Sequence, residues 1–420
     1  MHQLSYLSYN IVMSKLDDQQ ISNNDTFCIL PWIHLEIREN GNIYPCSRSL
    51  SAYPLGDFKK LSYSEIWNSE EFKKLRLNML NNVKSRHCTD CYRIESFNGE
   101  SPRKKYLSSN QDKISLIKDT ADDGSVKDFK LDFISIRLSN LCNLKCQYCD
   151  HTSSTAWIND QKALGYRGND LLKLDSFSSK EDCISFFSNH IDSLKSIYLL
   201  GGEPLIDPYH NIILDYFIEQ GRSDIAITYN SNLTELSVKG TDLIEKWKFF
   251  DNVIIDASID SHQERNDYIR YGSNWDKLER NIVRLKDHSN VKLRFYPTIS
   301  VFNVFTLIES IKYWLDKEYI QGHEIIFNIL EGPEYFNIQT LPNKSKREIR
   351  ENTIQFTKEL FQNYDMASAI QLSKQLKELL QFLETSHEGQ DNLKAFREHC
   401  DKIDQLRGSN WREVFPELIF

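Results

Sequence analysis

Residues 139–150 read S-N-L-C-N-L-K-C-Q-Y-C-D, which sets Cys142, Cys146 and Cys149 at C-x3-C-x2-C spacing with Tyr148 just before the last thiol. The run that precedes them, Phe133-Ile134-Ser135-Ile136-Arg137-Leu138, has the alternation of a β-strand. Three thiolates on one compact loop can hold three corners of a cubane iron–sulfur cluster, for which a full protein set is four. The missing fourth ligand leaves one iron open to a substrate or cofactor, as an open coordination position does in catalytic metal centres. Two other readings stay open at this point. The thiols could belong to a zinc site completed by His151, although zinc favours paired C-x2-C knuckles and the triplet holds one such pair, or they could be reduced thiols without metal.

The chain has 420 residues, enough for one large domain with additions or for two to three ordinary ones. Its 40% hydrophobic and 26% charged residues describe an ordinary soluble globular protein. Lys and Arg total 51 against 60 Asp and Glu, a net charge of −9 that disfavours DNA or long RNA as the main partner. No stretch approaches the ~20 apolar residues that span a bilayer. The first fifteen residues lack the charged start and apolar run of an export signal, so the expected location is the cytoplasm, with no membrane partner. Seven of the nine cysteines fall into two clusters, and in a reducing cytosol clustered thiols bind metal more often than they pair.

The second cluster lies upstream. Residues 27–37 (F-C-I-L-P-W-I-H-L-E-I) and 39–46 (E-N-G-N-I-Y-P-C) flank Asn40-Gly41, a strong type I′ hairpin signal that brings Cys28 and Cys46 toward one end. Residues 64–67 and 72–80 have helical spacing, and Cys88-Thr89-Asp90-Cys91 supplies a C-x2-C knuckle. Four such thiolates can ligate a cubane completely, or zinc tetrahedrally. His34 and His87 lie nearby and are expected to be structural. Residues 1–24 should be a flexible lead-in, 25–95 the cysteine-rich module and 96–128 a linker carrying the basic run Arg103-Lys104-Lys105, expected to be solvated surface.

From residue 129, short apolar runs alternate with helical stretches, the pattern of βα repeats and a parallel sheet. Strands are expected at 132–138, 195–200, 224–229, 252–259, 291–299 and 324–330. In such barrels sites gather at the C-terminal ends of strands, and each further motif falls there. Gly201-Gly202-Glu203-Pro204 follows the second strand, Tyr229-Asn230-Ser231-Asn232 the third, Ser258-Ile259-Asp260 the fourth with Arg270 twelve residues after Ser258, and Ser300-Val301 the fifth. Residues 129–332 should thus form the barrel and 333–420 a helical extension, with long helices at 343–363 and 366–405.

With the cysteine triplet, these motifs resemble the radical S-adenosylmethionine (SAM) superfamily, and the upstream C-x12-G-x4-C and C-x2-C pattern resembles its SPASM and twitch auxiliary-cluster domains. The resemblance implies an α/β fold, a partial (β/α)6 TIM-like barrel preceded by a small cysteine-rich hairpin and helix module. It implies a [4Fe–4S] cluster on Cys142, Cys146 and Cys149, with Tyr148 in the family's aromatic place, and a second on Cys28, Cys46, Cys88 and Cys91, zinc being the alternative there. SAM would be held by Gly201, Gly202, Glu203 and Pro204 at its amino group, Asn230 at the ribose, Ser258 and Arg270 at the carboxylate beside Asp260, and Val301 at the adenine. The expected activity is reductive SAM cleavage to a 5′-deoxyadenosyl radical that takes a hydrogen atom from a peptide or small-molecule substrate. A one-electron donor such as flavodoxin or ferredoxin would feed it. Outside the clusters, Cys183 should be a buried inert thiol and Cys400 a weak hydrogen-donor candidate. Two other classes are a zinc- or cluster-stabilised binding protein without radical catalysis and an RNA-modifying radical enzyme.

Overall fold

The computed structural model describes Ile21 and residues 24–96, 99–127, 129–238, 240–385 and 392–419. Most of the expected lead-in over 1–24 lies outside them. The chain divides into two compact units, residues 1–135 with 190–194, and residues 136–189 with 195–420.

In the first unit, β1 (His34–Ile37) pairs antiparallel with β2 (Asn42–Tyr44), and β2 with β3 (Gly56–Asp57). The hairpin forms, but not with a type I′ turn. Of the turn residues only Gly41 has positive φ, at 88°, and the Arg38 N–H donates to Asn42 O while Gly41 N–H donates to Arg38 O. A glycine in that conformation closing a longer loop is the bulged alternative to the two-residue turn. Helix Tyr63–Trp67 begins at a Ser62/Glu65 capping box, and helix Glu70–Leu80 at Ser69, whose side chain accepts from Phe72 N. The stretch expected to be a linker contains helix Pro102–Ser109 and the 3-10 run Gln111–Asp119.

The second unit is built on a sheet in the order β10-β9-β6-β5-β4, that is Val291–Phe295, Val253–Ala257, Ala226–Ser231, Ser196–Leu200 and Phe133–Arg137. The pairs β5–β6, β6–β9 and β9–β10 are parallel. Between β6 and β9 a small antiparallel pair, β7 (Ser237–Val238) and β8 (Thr241–Asp242), interrupts the repeat. The strands expected at 291–299 and 324–330 are shorter than read. Pro297 has no N–H for a ladder, so the fifth breaks into β10 and β11 (Thr298–Ile299). The sixth survives as β12 (Asn328–Ile329), parallel to β11, with one bridge between Phe295 and Ile325. The backbone near β12 is finished by a side chain: Gln375 on helix Met366–Glu384 accepts from Phe327 N and donates to Ile325 O.

Alternation sorts the strands. Ile197, Leu199, Tyr229 and Ile255 are buried under the helices, where Tyr229 Oη meets His210 and Trp247. On the other face Asn230, Asp256 and Arg294 are register partners, and Arg294 Nε donates to Asp256 Oδ1. Among the described residues the C-terminal extension has the helices Asn343–Asn363, Met366–Glu384, Asn392–Arg407 and Trp411–Val414, where two long ones were expected. Rings of Phe302, Phe336, Phe396 and Phe415 gather within 5.1–5.4 Å of Phe302 and anchor it. Among the described residues no helix is long and apolar enough to cross a membrane.

Candidate active site

The cysteine loop leaves β4 and is held on both sides by main-chain hydrogen bonds. Gly202 N donates to Ser139 O and Glu203 N to Leu141 O, each at 2.8 Å. On the other side Lys145 N donates to Tyr271 O and Gln147 N to Ile269 O, also at 2.8 Å. The indole of Trp157 donates to Cys146 O and Ser154 Oγ to Leu144 O. The glycines act here. A Cβ on Gly201, whose φ is 127°, would lie 2.5 Å from Ser139 O, and one on Gly202 2.4 Å from Leu141 O. Glycine was expected for close approach to a ligand; the contact seen is approach to the cysteine loop itself.

The three thiols influence one another. Cys149 hydrogen-bonds Cys146 and, with Arg270 acting against burial, draws the Cys146 thiol below its usual value. Cys142 is pushed up to about 12, chiefly by burial and then by Cys146. Donors reach the sulfurs: Arg270 Nη1 at 3.8 Å from Cys146, Asn232 Nδ2 at 3.9 Å and Leu144 N at 3.5 Å from Cys142, which the Ser154 side chain also hydrogen-bonds. His151 Nε2 lies 3.2 Å from the Asp170 carboxylate, and its Nδ1 is buried without a hydrogen-bond partner.

Of the remaining expected residues, Arg270 pairs with Asp260 and Ser258 with Asn230. Asp260, fully buried, takes Arg270 Nη2 and Thr298 N on Oδ1 and the Tyr148 hydroxyl on Oδ2. Arg270 Nε also lies 2.9 Å from Asp260 Oδ2, but without hydrogen-bond alignment. Burial opposes the Arg270 charge, yet Asp260 raises its pKa well above the ordinary value. Ser258 Oγ donates to Asn230 Oδ1 at 2.8 Å. Glu203 accepts from Ser231 Oγ, Asn232 N and Leu205 N, and burial lifts its pKa to about 7. Pro204 opens the short turn Pro204–Ile206. Val301 is buried and its N–H donates to Phe336 O.

Several residues of this site gave no signal in the sequence. The positive φ of the turn after β6 falls on Leu233, at 58°, rather than on Asn232. The side chain that reaches Cys142 from this turn is therefore Asn232, which also donates to Asn143 Oδ1, and Asn143 in turn donates to Thr234. No local spacing signals this, because the two asparagines lie 89 residues apart in sequence. Cys400 is fully buried, its pKa pushed well up by burial and then by Asp404. Cys183 is buried as expected.

In the first unit the four remaining clustered cysteines lie within electrostatic reach of one another. Cys28 is raised by burial and then by Cys88, Cys46 and Cys91; Cys46 and Cys88 are each pushed up to about 12, chiefly by burial. Arg103 is not solvated surface. It is 3% exposed, forks onto Glu95, and donates to the carbonyl of Phe27, next to Cys28. Its backbone N–H also hydrogen-bonds the Cys91 sulfur. His34 is buried between Pro45 O and Ser135, and His87 contacts Ser49, both structural as expected.

Both thiol sets suit iron–sulfur clusters by donor chemistry. Burial and mutual repulsion disfavour bare thiolates, and iron is the positive charge that would offset them. Among the described residues no three His, Cys, Asp or Glu side chains are gathered as a single metal ion would need. A cubane takes each thiolate at a separate iron.

Residues 136–312 match the radical SAM superfamily, and residues 28–92 match SPASM, an iron–sulfur cluster-binding domain. A GTP 3′,8-cyclase of Aliarcobacter butzleri (strain RM4018) is 27% identical over 115 residues, 26% of this chain and 30% of that protein. The chain thus spans less than a third of that curated relative. Among solved structures, native anSMEcpe with bound AdoMet is 19% identical, covering 55% of this chain and 62% of that one at a TM-score of 0.41. Streptococcus suis SuiB bound to S-adenosylmethionine is 15% identical, covering 78% and 69% at a TM-score of 0.36.

Proposed function

We propose, for this radical SAM enzyme with a SPASM domain on its N-terminal side, that it reductively cleaves SAM and removes a hydrogen atom from an unactivated C–H bond of a peptide or small metabolite. The observation that carries the reading is the three-thiol loop clasped by the glycine turn and facing Arg270. When bound, the cluster supplies the electron that splits the SAM sulfonium bond into methionine and a 5′-deoxyadenosyl radical.

The chain's own residues bind and orient. Cys142, Cys146 and Cys149 hold the cluster and leave one iron for SAM. Glu203 and the Gly201-Gly202 backbone receive the amino group, Ser258 and Arg270 the carboxylate, Asn230 the ribose and Val301 the adenine. Arg270 has five N–H donors, so it keeps some for a carboxylate beyond those given to Asp260 and Cys146. Tyr148 and Asp260 fix the guanidinium in place, and such positioning lowers the entropy cost of the reactive geometry. Residues 25–95, through Cys28, Cys46, Cys88 and Cys91, would hold the auxiliary cluster, which would serve as an electron relay on the substrate side. Residues 96–128 connect this module to the catalytic core over 129–332, and 333–420 form the extension. Flavodoxin or ferredoxin in the cytoplasm supplies electrons, and Cys400 has no part in this reading.

The test is an anaerobically reconstituted protein assayed for iron, sulfide and dithionite-dependent release of 5′-deoxyadenosine. Two cubanes predict about eight irons with cleavage. Cluster-loaded protein that never cleaves SAM, with or without a peptide pool, would overturn the proposal.

A further inference from the structure

One cation behind the cysteine loop is engaged in an unusual way. The Arg407 side chain, at the end of helix Asn392–Arg407, is 2% exposed. Its Nε donates to Asp160 Oδ2 at 3.1 Å, while Nη1 and Nη2 are buried without a hydrogen-bond partner. The guanidinium instead lies between two rings, 4.5 Å from Trp157 and 4.5 Å from Tyr271. Both rings belong to the loop's supports. The Trp157 indole donates to Cys146 O, and Tyr271 O accepts from Lys145 N. Arg407 is therefore one side chain away from the residue that Arg270 also addresses.

The surrounding charges do not cancel. Asp160 is shared between Arg407 and Lys145, whose ammonium lies 2.7 Å from Oδ1, so two cations face one carboxylate. Burial lowers the Arg407 pKa and Asp160 only partly offsets it. A buried ion left with unpaired donors costs stability, and two aromatic faces recover part of that cost. The tail is fastened to the same segment. Tyr268 Oη donates to Asp404, Tyr271 Oη to Arg407 O, and Asp404 also takes Ser409 Oγ and Trp411 N.

We infer that Arg407 is a positioning residue for the radical cluster: it locks the supports of the cysteine loop and its uncancelled charge raises the cluster's reduction potential. A cation near an iron–sulfur cluster favours the reduced, more negative state, and net charge and exposure are among the factors that set such potentials. The inference rests on the functional reading above and concerns residues of the C-terminal extension that this reading leaves without a role.

The test is a redox titration followed by the electron paramagnetic resonance signal of the reduced radical cluster, on full-length wild type, Arg407→Gln and Arg407→Lys. Iron content and thermal unfolding are measured alongside. Gln should lower the reduced-to-oxidised ratio at fixed poise about tenfold, equivalent to about 59 mV for a one-electron couple. Lys, which keeps the charge, should remain within about twofold of wild type. A Gln variant at wild-type potential, or Gln and Lys shifted equally, overturns the inference. If Gln holds no iron, Asp160→Asn decides: loss of the carboxylate shared by Arg407 and Lys145 should raise the reduced-to-oxidised ratio at fixed poise, and an unchanged or lowered ratio overturns the inference. A wild-type protein without a reducible cluster would sink the functional reading first, and this inference with it, whereas an unshifted Gln variant sinks this inference alone.

Discussion

The two cysteine sites solve the same problem, keeping thiolates out of water, in opposite ways. At the N-terminal site four thiols surround one another and burial raises all four, with the Arg103 N–H on Cys91 as one compensating contact. At the loop site there are three, and one of them, Cys146, is drawn down by Cys149 and Arg270. Asn232 donates to Cys142, Arg270 to Cys146, and Glu203 acts electrostatically on Cys142. A closed set of four suits electron transfer, because no position is left for chemistry. An open set of three, walled by hydrogen-bonding groups, suits a bound small molecule.

The strongest test of that contrast is Cys146→Ala. It should abolish SAM cleavage and remove about half of the iron, four of about eight atoms, because only one of two cubanes is lost. Cys88→Ala should remove the other half yet preserve SAM cleavage, measured as 5′-deoxyadenosine, while substrate turnover stops. Full iron in that variant would mean the N-terminal site is not a cluster. Gly202→Ala probes the loop without touching a ligand. Its Cβ would meet Leu141 O, so radical-site iron should fall and N-terminal iron should stay, as resolved by Mössbauer spectroscopy. Arg270→Met leaves Asp260 charged and buried, and such a broken pair costs about 3–5 kcal/mol, read from urea unfolding.

The smallest effect concerns Glu203. Burial holds its folded pKa near 7 against 4.5 for an ordinary glutamate, so the folded state binds the extra proton. The contribution is favourable below pH 4.5 and is lost as pH rises through 7. Apo wild type should therefore lose stability between pH 5 and 8 relative to Glu203→Gln, whose side chain does not ionise. Parallel pH curves for the two proteins would remove this carboxylate from the contrast.

What the sequence reveals here follows from how far apart the partners lie. The strand-loop-cysteine unit, the C-x2-C spacing and the succession of strands along the chain are local patterns, and the strands appear close to where spacing places them. Turn detail is coarser. Asn40-Gly41 predicts a type I′ turn, yet a bulged loop forms, and the left-handed residue after β6 is Leu233, a residue type that gives no hint of positive φ. Pro297 was a visible signal that the fifth strand would break. Long-range roles were not visible. Arg103 sits in a run of three basic residues that looks like surface, and its burial depends on Glu95 and the carbonyl of Phe27. Arg407 and Asp160 are 247 positions apart, beyond any periodicity.

The hydrogen bonds from Lys145 and Gln147 to Tyr271 and Ile269 also bear on the order of events during synthesis. A nascent chain that has reached residue 149 carries all three loop thiols but not the partners that shape them, which are made more than a hundred codons later. The N-terminal four, with Arg103, are all made once residue 103 has emerged, and the rest of their compact unit follows by residue 194. Domains tend to fold as they leave the ribosome, so the two thiol sets gain their supporting contacts in the order in which they are made, the loop set last.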